Sequence, residues 1–159
     1  MDKKLENYLK EKEIKYKEHK HPAVFTVEES KKLNKTISGL HCKTLFLKDS
    51  NGIYYLIGMP AEKRLDSKKF RELIEAKKVR FGTAEELKEK VNLVPGSVSI
   101  FGAIYTKDKK TRLILDKEVW DAEKVGFHPN INTSTLEINH KNLEKFYNSL
   151  KCDKEILEL

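Results

Sequence analysis

The sequence predicts an α+β domain built on a mixed, largely antiparallel sheet, and three observations lead there. Helix-like and strand-like stretches alternate along the chain without repeats or low-complexity tracts. Two segments, Thr26-Val27-Glu28-Glu29 and Thr83-Ala84-Glu85-Glu86, have the spacing of a capping box. Asp49-Ser50-Asn51-Gly52 separates two apolar runs as a hairpin turn does. At 159 residues the chain is expected to form a single domain, 1–159, large enough to bury a core without metal or disulfide staples.

Leu5, Tyr8 and Leu9 share one helical stripe and place a helix over roughly residues 3 to 13. Tyr16 to Lys20 reads as an edge strand ending before His21-Pro22, and the Thr26 box opens a helix to about Leu33. Cys42 to Lys48 carries apolar groups on both alternation faces, the mark of an interior strand, and Ile53 to Gly58 completes the hairpin. Asp66 or Ser67 caps a helix bearing Phe70, Leu73 and Ile74, Lys78 to Phe81 is a strand, and the Thr83 box opens a helix through about Val91. Ser97 to Tyr105 is expected to be a strand broken at Gly102. Arg112–Leu115, Lys124–Phe127 and Ser134–Ile138 are further strands, with a short helical segment at Lys117–Trp120. Asn139 caps a last helix whose Leu143, Phe146, Tyr147 and Leu150 face inward.

The formal net charge of +7 and pI near 9.2 point to an anionic partner. Only Arg64, Arg71, Arg80 and Arg112 among the 32 cationic side chains are arginines. Lysine is a point charge toward phosphate, whereas base edges are usually read by arginine forks, so backbone attraction is expected more than sequence decoding. Cys42 and Cys152 lie far apart, without zinc-like spacing, which suits the reducing cytoplasm. The charged N-terminus lacks a signal-peptide pattern and no segment has the length of a membrane span, so a cytoplasmic protein is expected, with a monomer as the simplest state.

Lys43 is the most informative residue. It shares an alternation face with Leu45 and Leu47, where an ammonium is costly unless it snorkels to water or meets an anion such as a phosphate or a developing oxyanion. Three polar segments border apolar strands: His41-Cys42-Lys43-Thr44, Pro95-Gly96-Ser97-Val98-Ser99, and Gly126 to Thr133. One cation, a glycine that lets backbone N–H groups approach a ligand, and a loop rich in hydrogen-bonding side chains fit a hydrolytic pocket. A simple turn at Gly96 and a strand-end role for His128 fit equally well. Phosphate-loop, dinucleotide and Gly-x-Ser-x-Gly fingerprints are absent.

Taken in order, these segments resemble the YbaK/ProX family of aminoacyl-tRNA deacylases, relatives of the editing domain of bacterial prolyl-tRNA synthetase, with the ProX branch nearest. The resemblance is carried by His21-Pro22-Ala23-Val24-Phe25-Thr26-Val27-Glu28-Glu29, Cys42-Lys43-Thr44-Leu45-Phe46-Leu47-Lys48-Asp49 and Lys63-Arg64-Leu65-Asp66. It continues through Phe81-Gly82-Thr83-Ala84-Glu85-Glu86-Leu87, Val94-Pro95-Gly96-Ser97-Val98-Ser99 and Phe127-His128-Pro129-Asn130-Ile131-Asn132-Thr133. It implies a six- or seven-stranded mixed sheet flanked by helices, and hydrolysis of the ester joining a wrong amino acid to the terminal adenosine of a tRNA. The implied partners are the acceptor end of proline tRNA and prolyl-tRNA synthetase, the first substrate to test is the alanyl ester, and no metal or organic cofactor is implied. By match to the family's motifs, Lys43 orients the terminal nucleotide and Gly96 opens a backbone cradle. His128 and Asn132 belong to the pocket, with Ser97 and Ser99 beside the glycine. Phe46, Ile100 and the loop 127–133 are the expected walls.

Two departures bear on substrate choice. Ile100 stands where the family's Gly-x-x-x-Pro loop has proline, and Tyr105-Thr106 stand where it has Asn-Asp. Serine, cysteine or 2-aminobutyrate therefore stay open beside alanine. The chemistry suits the residues: an aminoacyl ester is already activated, so orientation, a placed water and oxyanion stabilisation suffice. The alternatives are a non-catalytic tRNA- or synthetase-binding module of the same fold, a thiol hydrolase using Cys42 with His41 or His128, and a metal site on the same three residues. Adjacent strand residues face opposite ways, which disfavours a His41–Cys42 pair.

Overall fold

The computed structural model describes residues 1–23 and 27–159. Helix α1 (Lys3–Glu11) starts at Asp2, whose carboxylate accepts from the Lys4 N–H, and buries Leu5 and Leu9 completely. Strand β1 (Lys17–Lys20) follows, then α2 (Val27–Asn34); the expected cap Thr26 lies outside the described residues. Strands β2 (Leu40–Asp49) and β3 (Tyr54–Pro60) form the central hairpin. Asp49 organises its turn: Oδ1 accepts from the N–H groups of Asn51 (2.8 Å) and Ile53 (2.9 Å), Oδ2 accepts from the Tyr55 hydroxyl (2.7 Å), and Gly52 supplies φ +83°.

Asp66 caps α3 (Ser67–Leu73), whose Phe70 is fully buried, and the short strand β4 (Val79–Phe81) returns to the sheet. Both halves of the Thr83–Glu86 capping box form at the start of α4 (Ala84–Val91). Strand β5 (Thr111–Asp116), helix α5 (Lys117–Asp121), strands β6 (Lys124–Phe127) and β7 (Ser134–Asn139), helix α6 (His140–Ser149) capped by Asn139, and strand β8 (Asp153–Leu157) complete the chain.

Two features depart from expectation. Residues 97–105 are not a strand: Ser99 accepts from the Phe101 N–H and opens a 3-10 helix, Ile100–Tyr105. An apolar run has no period to separate the two readings, and the local cap decides. The sheet has eight strands among the described residues rather than six or seven, because β4 and β8 both join it.

The order is β1-β7-β6-β2-β3-β5-β8, with β4 paired to β2. Pairing is antiparallel for β1/β7, β6/β7, β2/β3 and β2/β4, and parallel for β2/β6, β3/β5 and β5/β8. On the first face α1, α4, α5, α6 and the 3-10 helix pack Leu5, Leu9, Leu87, Phe101, Val119 and Phe146 against Leu56, Leu113, Phe127 and Leu136. On the second face a smaller cluster gathers Leu47, Tyr55, Ile57, Met59 and Ile114 under Phe70 of α3. No helix among the described residues is long and apolar enough to cross a membrane.

Candidate active site

Strand β2 is paired with β3 from Cys42 to Lys48 on one edge, but its other edge is shared. Leu40 and His41 take β6, and Leu47 to Asp49 take β4. Between them the sheet forks: among the described residues no strand pairs with Lys43, Thr44 or Leu45 on that edge. Lys43 therefore stands in the fork, half-buried, with the hydroxyl of Thr44 buried and unpartnered beside it.

Alternation sets what else shares the second face. His41 lies opposite Gly126, Gly126 opposite Glu137, and Thr135 opposite His19. A polar stripe results across β1, β7, β6 and β2. His19 Nε2 is 3.3 Å from Glu137, His21 Nε2 is 2.9 Å from the Thr135 hydroxyl, and the His41 Nε2–H donates to the Ile37 carbonyl at 2.9 Å. The ring of His128, just past β6, lies 6.1 Å from that of His21. Its Nδ1–H donates to the Ser134 carbonyl at 3.0 Å, so the neutral ring keeps Nε2 as an acceptor. Burial, aided by the nearby His21, holds the His128 pKa below the usual histidine value despite that bond, which favours the neutral form.

A cavity of about 400 Å³ opens on the same face. Leu45, Leu47, Leu65 and Val79 give it apolar walls, Lys43, Arg64 and Arg80 bring positive charge, and Phe81 stands at its edge. Arg80 is tied to Glu86 through two contacts of 2.8 and 3.1 Å. Arg80, Tyr54 and the Thr83 N–H together hold the Glu86 carboxyl far below the usual carboxylate range. Lys43 and Arg64 have no acidic partner among the described residues. Two cations against apolar walls, one half-buried and one exposed, are poised for an external anion.

The remaining expected residues divide. Gly96 is exposed at φ +89° in a turn closed by the Ser97 N–H donating to the Val94 carbonyl, so its backbone does require glycine. A Cβ there would lie 3.9 Å from Asn132 Nδ2, so the glycine loop and the 128–133 loop adjoin. Ser97 is buried beside the turn, and Ser99 is consumed as the 3-10 cap. Phe46 and Ile100, expected as pocket walls, instead lie in the core of the first face: Phe46 stacks on Tyr54 with centroids 5.6 Å apart, and Ile100 packs over Gly58. Phe46 is one strand position out of phase with Lys43 and Leu45, and so must face away from them.

Cys42 also packs toward the first face, where burial pushes its thiol pKa well up, away from His41 on the second. The thiol-hydrolase arrangement is thus not assembled. Among the residues lining the cavity, Arg64 and Phe81 were not singled out by sequence reasoning as candidates. Both lie in segments that carried the family resemblance, but nothing local marks them as sharing a cavity with Lys43.

Residues 21–146 match the aminoacyl-tRNA editing domain. This chain belongs to that family. It is accordingly an aminoacyl-tRNA deacylase with a tRNA substrate. Among curated relatives, the prolyl-tRNA editing protein ProX of Acetoanaerobium sticklandii is 30% identical over 138 residues, which is 86% of this chain and 84% of that protein. The prolyl-tRNA synthetase associated domain-containing protein 1 of Danio rerio is 28% identical over 91% of this chain and 79% of its own. The fold matches a solved structure described as a candidate trans-editing enzyme for prolyl-tRNA synthetase, with a TM-score of 0.75, 18% identity and coverage of 100% of this chain and 98% of that one.

Proposed function

We propose that this editing domain works in trans, as a freestanding protein that removes a wrongly attached amino acid from proline tRNA, with the alanyl ester as its first substrate. The observation that carries this reading is the half-buried ammonium of Lys43, without an acidic partner among the described residues, in the fork of β2. It is poised to meet a phosphate or ester oxygen of the terminal nucleotide. The neutral imidazole of His128 offers Nε2 to hold a water, and the adjoining Gly96 and Asn132 loops contribute hydrogen-bonding groups to the reacting end. Orientation and one well-aimed donor account for the needed catalysis, a single such donor being worth about 2.7 to 4 kcal/mol in the barrier. The terminal ribose hydroxyl of the substrate assists the water, so an ester on a ribose lacking that hydroxyl is expected to turn over far more slowly.

A selective second site is needed for physical reasons. A pocket gains only about 1 to 3 kcal/mol of discrimination per methylene, so a synthetase that admits proline cannot reject alanine well. The test is deacylation of alanyl-, seryl-, cysteinyl- and prolyl-charged proline tRNA by the wild type and Lys43→Ala. Preferential loss of the alanyl ester, abolished by the substitution, supports the reading. Binding of all four without hydrolysis makes the protein a non-catalytic tRNA-binding module instead.

A further inference from the structure

The Lys43 cavity has one component that ester hydrolysis does not use. Phe81 is 67% exposed, the most exposed of the large hydrophobic side chains among the described residues, at the end of the three-residue strand β4. It is the direct cross-strand partner of Leu47, which puts its ring on the second face at the cavity edge. The backbone around it is firmly held. The Gly82 N–H donates to the Phe46 carbonyl at 2.9 Å, Gly82 lies so close to the Phe46 ring that a Cβ would sit at 2.2 Å, and the Phe81 carbonyl accepts from Arg80 at 3.0 Å. With the backbone held, stacking on this solvent-facing aromatic has only the two side-chain torsions of the ring to order.

Across the cavity Arg64, exposed and without an acidic partner among the described residues, rides on the segment leading into α3. An aromatic face beside an unpaired guanidinium, with apolar walls between them, has the chemistry of a single-stranded nucleotide site, in which a base stacks and the backbone phosphate meets the cation. Charge complementarity favours this occupant over an apolar peptide, because Lys43 and Arg64 line the cavity without an acidic partner among the described residues, Arg80 being held by Glu86, and none of the lining residues is acidic.

We propose that Phe81 and Arg64 form a nucleotide subsite that stacks one unpaired base of the tRNA acceptor end and holds its phosphate. The subsite rests on the tRNA-directed reading above and deepens it by assigning the grip on the single strand to residues distinct from Lys43. Stacking is tolerant of base identity, so the subsite recognises an unpaired end and not a particular sequence.

The experiment measures binding of uncharged proline tRNA, intact or trimmed of its unpaired 3′ end, to wild type, Phe81→Ala, Phe81→Trp and Arg64→Ala at fixed salt. Phe81→Ala is expected to weaken binding of the intact tRNA about tenfold and to leave the trimmed tRNA unaffected, while Phe81→Trp restores the intact affinity. Arg64→Ala is expected to lower the salt dependence of binding to the intact tRNA by about one counterion. Equal affinity of Phe81→Ala and wild type for the intact tRNA overturns the proposal, as does an equal loss on both tRNAs. A thermal melt of each variant checks that the fold is intact. Because the readout is binding, it is independent of deacylation: failure of the hydrolysis panel leaves the base platform standing, and failure here leaves the panel's outcome untouched.

Discussion

The two faces of the sheet are built to different standards. On the first, five helical elements seal a large cluster in which Leu5, Leu9, Phe101, Leu143 and Phe146 have no measurable exposure. On the second, a smaller apolar patch under Phe70 gives way, across β2, to a stripe of histidines, Thr135, Glu137 and Lys43. The difference shows a division of labour within one sheet. Because strand residues alternate, β6, β7 and the start of β2 commit one set of side chains to stability and leave the other free for chemistry, whereas β3 and β5 bury both sets.

The sharpest way to break this comparison is to damage one face and look for effects on the other. Phe101→Ala removes a fully buried ring in edge-to-face contact with Phe127 and Phe146, and is expected to cost about 3 to 5 kcal/mol of stability by denaturant unfolding. Its surviving folded fraction should deacylate at a near-normal rate. Lys43→Met should do the reverse, lowering kcat/KM about 100- to 1000-fold with stability nearly unchanged, equivalent to about 2.7 to 4 kcal/mol in the barrier. A large drop in melting temperature for Lys43→Met, or a lost active site in folded Phe101→Ala, defeats the division.

A gentler probe uses pH. The folded-state pKa of His128 lies below its unfolded value near 6.5. The unfolded chain therefore binds more protons in that window, so stability is undiminished above about pH 6.5 and falls as pH drops through the lowered folded value. His128→Gln is expected to flatten this part of the stability profile, as followed by thermal melts between about pH 5 and pH 8, the range over which histidine changes charge. Smallest of all, Thr83→Ala should cost about 1 kcal/mol through its cap while altering neither face, which calibrates how much a purely local loss disturbs deacylation.

What was legible in the sequence was what local chemistry decides. Asp66, Thr83 and Asn139 cap helices as their spacing indicates, and Asp49 with Gly52 makes the turn that its sequence announces. Strand β6 falls on the four residues expected of it, since alternation and the following His128-Pro129 bound it on both sides. Long-range choices were not legible. Strand β8 is a charged sequence, Asp153 to Leu157, that becomes a strand only by pairing with β5. The apolar stretch to Tyr105 coils because Ser99 caps it and Gly102 lies against Leu93.

The same boundary runs through the candidate site. The placement of Lys43 with Leu45 and Leu47, opposite Phe46, follows from parity alone. Arg64 and Phe81 reach the cavity from either side of α3, and only the fold sets them beside it. Ile100 has the offset from Gly96 expected of a wall, but the 3-10 turn rotates it into the first-face core.

The fork in β2 has a further consequence, for solubility. An unpaired strand edge at the rim of a sheet invites the edge of another molecule and is a seed for aggregation. Here, among the described residues, the edge without a strand partner spans only Lys43 to Leu45 and is walled on either side by β6 and β4. A foreign strand cannot enter so short a slot, so open main-chain groups lie within reach of a small ligand while self-association through them is blocked.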